Sequence, residues 1–265
     1  AEHEAFFWPR DQGRGALLLH GFPGSPAEMR GLGQVLYDSG WTVHAPLLPG
    51  FGPAIETLAC RTHREWLDAA AQALETLRKS HNEVLLAGNS MGGALALAIA
   101  RSAEASGLIL AAPFTRLGVP WQRFVWPLVC RFVSQLRPFE HADMASPEIR
   151  RLARRIFDDA DATDPAVQSF IRNITVPTRA IDQVRRVGKL ALQAAPHLRM
   201  PTLIMQGRVD RVVAPKTTRA LAGRMGVRPQ YCEFDTGHDL IETDGSSWPQ
   251  VEKRVKEFVE SLLSR

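Results

Sequence analysis

Three stretches set far apart in a chain of 265 residues hold the residue types that nucleophilic acyl transfer requires: "GNSMG" at 88–92, "GRVD" at 207–210 and "DTGH" at 235–238. A serine hydroxyl is a weak nucleophile near neutral pH. It reacts only where a base lies within hydrogen-bond reach and a third group orients that base. Ser90 is the candidate nucleophile, because G-x-S-x-G marks a strained turn from strand into helix that projects the hydroxyl above a sheet. Gly88 and Gly92 suit that bend, where side chains would collide. His238 is the candidate general base and acid. Asp210 is the candidate carboxylate that holds its tautomer and stabilises the imidazolium.

Other acids and histidines compete less well for these roles. Asp235 and Asp239 are sequence neighbours of His238 and reach its far nitrogen only with difficulty, and Glu233 lies within a strand-like run. His44, His63, His81, His141 and His197 lack a strand-end context and read as surface or capping residues. His20, in "HGFPGSP", reads as a support for its loop rather than a proton carrier.

The elements that must position these groups are short apolar runs ended by turn residues: 15–21, 41–48, 83–90, 107–113 and 201–210, with a further strand-like run "QYCEF". Continuous apolar runs suit strands covered on both faces. Helical patterns at 26–38, 63–79, 91–103, 216–225 and 249–263 alternate with them, which points to a mostly parallel α/β sheet flanked by helices. "SPAE" predicts the start of the first helix, with Ser25 as cap, Pro26 at the first helical position and Glu28 as the capping-box acid.

Between about Phe114 and Leu198 the strand rhythm stops and Arg-rich amphipathic segments replace it. The expected organisation is therefore one elaborated domain: a core of residues 1–113 and 198–265, with 114–197 inserted as a helical cap over the carboxyl edge of the sheet. The insertion holds 13 Arg or Lys against 8 Asp or Glu, so 13 − 8 = +5 of charge lies there against +4 for the whole chain. A solvated basic face accounts for this excess, since no nucleic-acid module accompanies it. The aromatic segment "WQRFVWPLVCRFVSQL" leaves room for peripheral membrane contact.

The longest nearly uncharged apolar stretch, Met91 to Ala100, is about half of the roughly 20 residues a membrane-spanning helix needs, so no transmembrane segment is expected. The amino-terminal residues show no secretory signal, although a signal removed ahead of Ala1 would leave the same chain. Cys60, Cys130 and Cys232 are scattered and lack metal-ligand spacing, which suggests a reducing cytoplasm and no metal site. The sequence sets no oligomeric state.

Taken together, "LLLHGFPGSP", "GNSMGG", "GRVDRVV" and "DTGH" resemble the α/β-hydrolase superfamily, and especially bacterial carboxylesterases and monoacylglycerol lipases with a small helical cap. The resemblance covers nearly the whole chain. It implies the α/β-hydrolase fold and the chain order Ser, acid, His, which Ser90, Asp210 and His238 follow. It also implies an oxyanion hole made by the backbone N–H groups of Phe22 and Met91. The implied reaction is hydrolysis of a small-molecule ester with an apolar acyl chain, through an acyl-enzyme on Ser90 and with no cofactor. Trp121, Phe124, Trp126 and Phe132 are candidates for the acyl pocket, several of them equally for the core that holds the cap together, with none singled out. Asn89 departs from the pattern, since related enzymes often carry a bulkier apolar residue there. Two other readings share the same residues: carbon–carbon bond hydrolysis of a vinylogous diketone, and a catalytically silent ligand receptor on the same fold.

Overall fold

A computed structural model describes residues 3–10, 13–116, 126, 129–146, 149 and 163–264. In chain order the strands are β1 (Phe6–Trp8), β2 (Arg14–Leu19), β3 (Thr42–Ala45), β4 (Glu83–Asn89), β5 (Gly107–Ala111), β6 (Gln135–Leu136), β7 (Val176–Pro177), β8 (Thr202–Gly207) and β9 (Gln230–Phe234). The α-helices are α1 (Arg30–Asp38), α2 (His63–Arg78), α3 (Met91–Ala103), α4 (Pro165–Arg172), α5 (Thr178–Ala194), α6 (Pro215–Ala222) and α7 (Trp248–Leu263). Seven strands form one sheet in the order β1-β3-β2-β4-β5-β8-β9, parallel throughout except for β1, which pairs antiparallel with β3 at the edge. The parallel strands coincide with the apolar runs expected from the sequence. β1 was not expected, because three residues are too few to display a period.

The sheet is covered on both sides, as the unbroken apolar strands require. Alternate residues of one strand enter different cores because successive side chains point to opposite faces. Leu17 and Leu19 of β2, Leu86 of β4 and Leu108 and Leu110 of β5 pack with α2 and α3. Leu18, Leu85 and Ile109 pack on the other side with Leu32 and Leu36 of α1 and Val255 and Phe258 of α7. Leu17, Leu18 and Leu19 are all fully buried, each contributing about 1.5 to 3 kcal/mol.

The expected capping box at Ser25 does not form. Pro26–Met29 is a 3-10 turn, α1 begins only at Arg30, and Ser25 makes no side-chain cap bond. Its hydroxyl pairs with His3 Nδ1 at 2.8 Å, and the Glu28 carboxylate turns away to Gly21 and Asn89. A complete box instead starts α2, where the Thr62 hydroxyl accepts from Glu65 N and the Glu65 carboxylate accepts from Thr62 N.

Within the segment after β5, β6 and β7 pair antiparallel and α4 is capped by Asp164, whose Oδ1 accepts from Ala166 N at 2.8 Å. Helix α5 belongs to the main core: Ala180, Val184, Val187 and Ala191 are buried in the same cluster as α2, α3 and the sheet. Gly188 lies so close to the Thr115 backbone that a Cβ would fall 2.6 Å from the Thr115 oxygen. Among the described residues no helix is long and apolar enough to cross a membrane.

Candidate active site

The turn after β4 is built around Ser90, whose φ of 51° and ψ of −112° place it in a backbone region that non-glycine residues rarely occupy. Three backbone hydrogen bonds hold it there. Ser90 N donates to Ala111 O at 2.8 Å, and Ser90 O accepts from Ala94 N at 3.2 Å and Phe114 N at 3.0 Å. The bend also needs its glycines, since a Cβ on Gly92 would lie 1.9 Å from Leu19 O and one on Gly88 would lie 2.3 Å from the Gly92 carbonyl carbon.

Asp210 sits just beyond β8 with its side chain fully buried. Oδ1 accepts from Val212 N and Val213 N, each at 2.8 Å. Oδ2 accepts from Gln206 Nε2 at 3.0 Å and from His238 Nδ1 at 2.8 Å. Because the carboxylate accepts, Nδ1 carries the imidazole proton and Nε2 is left as the basic nitrogen. The loop after β9 thus presents His238 at the same sheet edge as Ser90. Both residues line one cavity of about 760 Å³. No hydrogen bond joins them among the described residues, and such bonds commonly tighten only when substrate binds.

Phe22 lines this cavity, and Met91 opens α3 from a fully buried position. Neither backbone N–H meets an acceptor among the described residues, as expected at the first position of a helix for Met91. His20 explains how the Phe22 N–H is aimed. Leu48 N donates to His20 Nε2 at 3.1 Å, so Nδ1 bears the proton and donates to Gly21 O at 2.9 Å. Gly21 O and Phe22 N–H share one trans peptide plane and point oppositely, so the ring orients both. Burial holds the His20 pKa below its ordinary value, consistent with the neutral tautomer.

Two of the competing acids are engaged elsewhere, while Asp239 lines the cavity itself. Asp235 pairs with Arg208 at the surface, and Glu233 takes a two-point bond from Arg219 at 2.7 and 2.8 Å. The expected pocket aromatics need correction: Phe132 is 75% exposed, and neither it nor Trp126 lines the cavity, while Trp121 and Phe124 lie outside the described residues. Phe114, Leu136, Phe139, Ile181 and Val184 supply the apolar wall instead, and Glu28, Arg137, Asp239 and Glu242 the polar part.

Sequence reasoning missed two polar supports, one buried and one half-buried. Gln206 is fully buried, bonds Asp210 through Nε2 and accepts from Thr218 Oγ1 at 2.6 Å. Its signal was a lone amide within the apolar run "TLIMQG". Glu28, read locally as a cap, carries no signal that places it beside Asn89. Among the described residues no His, Cys, Asp or Glu cluster could hold a metal ion.

The Hydrolase_4 family, described as "Serine aminopeptidase, S33", matches residues 14–241. The chain belongs to this family. A thermostable monoacylglycerol lipase of Bacillus sp. (strain H-257) is 35% identical to this Hydrolase_4 member over 86 residues, which is 32% of the chain but only 34% of that lipase. A carboxylesterase of Bacillus subtilis (strain 168) is 24% identical over 254 residues, 94% of this chain and 93% of that protein. A solved structure from work on LipS and LipT, two metagenome-derived lipolytic enzymes, superimposes with a TM-score of 0.76 at 22% identity, covering 98% of both chains. The fold of this Hydrolase_4 member is therefore that of the α/β hydrolases.

Proposed function

We propose that this Hydrolase_4 member cleaves carboxylic esters through an acyl-enzyme on Ser90. The observation that carries the reading is the meeting, in one cavity, of a serine on a strained elbow and a histidine whose Nδ1 is held by a buried aspartate. Ser90 Oγ attacks the ester carbonyl while His238 Nε2 takes its proton, and the Phe22 and Met91 N–H groups receive the developing oxyanion. The alcohol departs with that proton. Water, activated by the same imidazole, then attacks the acyl carbon, releasing the acid and restoring Ser90. Asp210 keeps the tautomer and stabilises the imidazolium without taking up the proton itself.

Substrates of this reading are short to medium acyl esters or monoacylglycerols. The apolar wall of Phe114, Leu136, Phe139, Ile181 and Val184 suits an acyl chain, and the polar part of the cavity suits a hydroxylated alcohol. The esterase and lipase character of the relatives supports the same class. Residues 114–197 form, in this reading, an insertion whose last part, α5, has joined the core, so that the covering part ends near β7.

The test is direct. Purified protein should release p-nitrophenol from butyrate and caprylate esters, Ser90→Ala should abolish nearly all release, and a fluorophosphonate probe should label the wild type but not the variant. Full activity in Ser90→Ala would refute the reading.

A further inference from the structure

We propose that Glu28 is a positioning residue that locks the oxyanion loop to the nucleophile elbow. The inference rests on the reading of Ser90 as nucleophile and of Phe22 and Met91 as oxyanion donors. One oxygen, Glu28 Oε1, accepts from Gly21 N at 2.5 Å and from Asn89 Nδ2 at 3.0 Å. Gly21 immediately precedes one donor, and Asn89 immediately precedes the nucleophile and, one residue further, the other donor. A single acceptor thus ties together two backbone segments that come from different strands.

The geometry of Gly21 makes the tie consequential. Glycine has no side chain to restrict its rotation, so the orientation of the Phe22 N–H depends on what holds the peptide planes on either side. His20 holds the plane that follows through Gly21 O, and Glu28 holds the plane that precedes it through Gly21 N. The carboxylate has a fitted seat. A Cβ on Gly24 would lie 2.5 Å from Glu28 Oε2, and one on Gly21 would lie 3.1 Å from Oε1. Asn89 is 8% exposed, and its Oδ1 is buried with no partner among the described residues. The amide is therefore anchored through Nδ2, and Glu28 is what anchors it.

Glu28 acts through hydrogen-bond acceptance, so glutamine, which keeps a carbonyl oxygen at the same place, should replace it and alanine should not. A misplacement of about 1 Å at a reacting centre costs on the order of 10²-fold in rate. Glu28→Ala should lower kcat on p-nitrophenyl butyrate by about 10- to 100-fold with KM within about threefold, whereas Glu28→Gln should keep at least about a third of the wild-type kcat. In a double-mutant cycle of kcat, Glu28→Ala and Asn89→Ala should be strongly non-additive, the pair costing little more than the worse single change. Unfolding midpoints measured alongside identify any variant that has lost its fold. If Glu28→Ala alone fails to fold, Asn89→Ala decides the matter, with a fall in kcat at constant KM expected. A folded Glu28→Ala or Asn89→Ala with wild-type kcat, equal losses in the alanine and glutamine variants, or simple additivity would overturn the lock. Activity surviving in Ser90→Ala would instead overturn the reading on which the lock rests.

Discussion

His238 Nδ1 and Asp210 Oδ2 lie 2.8 Å apart, and that carboxylate also receives Val212 N, Val213 N and Gln206 Nε2. The aspartate is thus fixed by its own loop and by β8 before it meets the imidazole, so the histidine inherits its direction from the backbone. Asp210→Asn keeps the shape but offers an NH₂ group where His238 Nδ1 or a backbone N–H needs an acceptor. The expected result is a fall in kcat of about 10³- to 10⁴-fold with little change in KM, and a loss of about 1.5 to 3 kcal/mol in urea unfolding. A variant within tenfold of wild type would show that Asp210 does not orient the base.

The elbow should tolerate no added methyl. Gly92→Ala would push its Cβ into Leu19 O and His20 O, at 1.9 and 2.6 Å. Both are backbone atoms at the end of β2, where the loop to Phe22 begins. We expect a loss of about 3 kcal/mol or more in urea unfolding, or no soluble protein. A shift below about 1 kcal/mol would mean that the turn relaxes without disturbing β2.

The parallel strands, and the loops that bring Ser90, Asp210 and His238 to one edge of the sheet, were legible because each signal is local. A buried parallel strand reads as an apolar run, and Ser90 follows β4 directly while Asp210 and His238 lie on the short loops after β8 and β9. Glu28 was not legible, for "SPAE" matches a helix cap by spacing, and the competing partner, Asn89, lies 61 residues away. Helix α5 was read only as part of a basic insertion, although Ala180, Val184, Val187 and Ala191 recur at helical spacing. Its arginines drew attention to the solvated face and away from the buried one. Of the aromatic candidates for the acyl pocket, Phe132 misled by size, for it is large yet turned to solvent.

Acid should destabilise the protein through His20. Burial lowers its folded-state pKa from the ordinary 6.5, so as pH falls below that value the unfolded chain takes up a proton that the folded chain resists. Stability is then retained above about pH 6.5 and lost progressively below it, by up to about 1.4 kcal/mol per pH unit. His44 is shifted in the same direction by burial and adds to the trend. Urea midpoints measured from pH 7.5 to 5 should fall, and His20→Asn, though less stable at pH 7.5, should show a shallower fall. An unchanged slope in that variant would remove His20 as a cause.

Ile181 should govern acyl length. It projects into the cavity from α5, beside Val184. Ile181→Trp would fill space on the apolar wall and should lower the ratio of kcat/KM for caprylate over butyrate by about tenfold, in line with the 10- to 200-fold discrimination a methylene group allows. A ratio unchanged from wild type would place the acyl chain elsewhere in the cavity.

The tight seat of Gly188 against Thr115 bears on how such a site measures its substrate. Phe114, next in the chain to Thr115, is tied through its N–H to Ser90 O, and Val184 stands one helical turn before Gly188. These two wall residues are therefore mounted on the same rigid frame as the nucleophile. Under the proposed ester hydrolysis, an acyl chain lying against them would meet a ruler with its zero mark at the reacting carbon, and surplus carbons would not be accommodated by retreat of that wall. They would have to turn aside toward the opposite bank of the cavity.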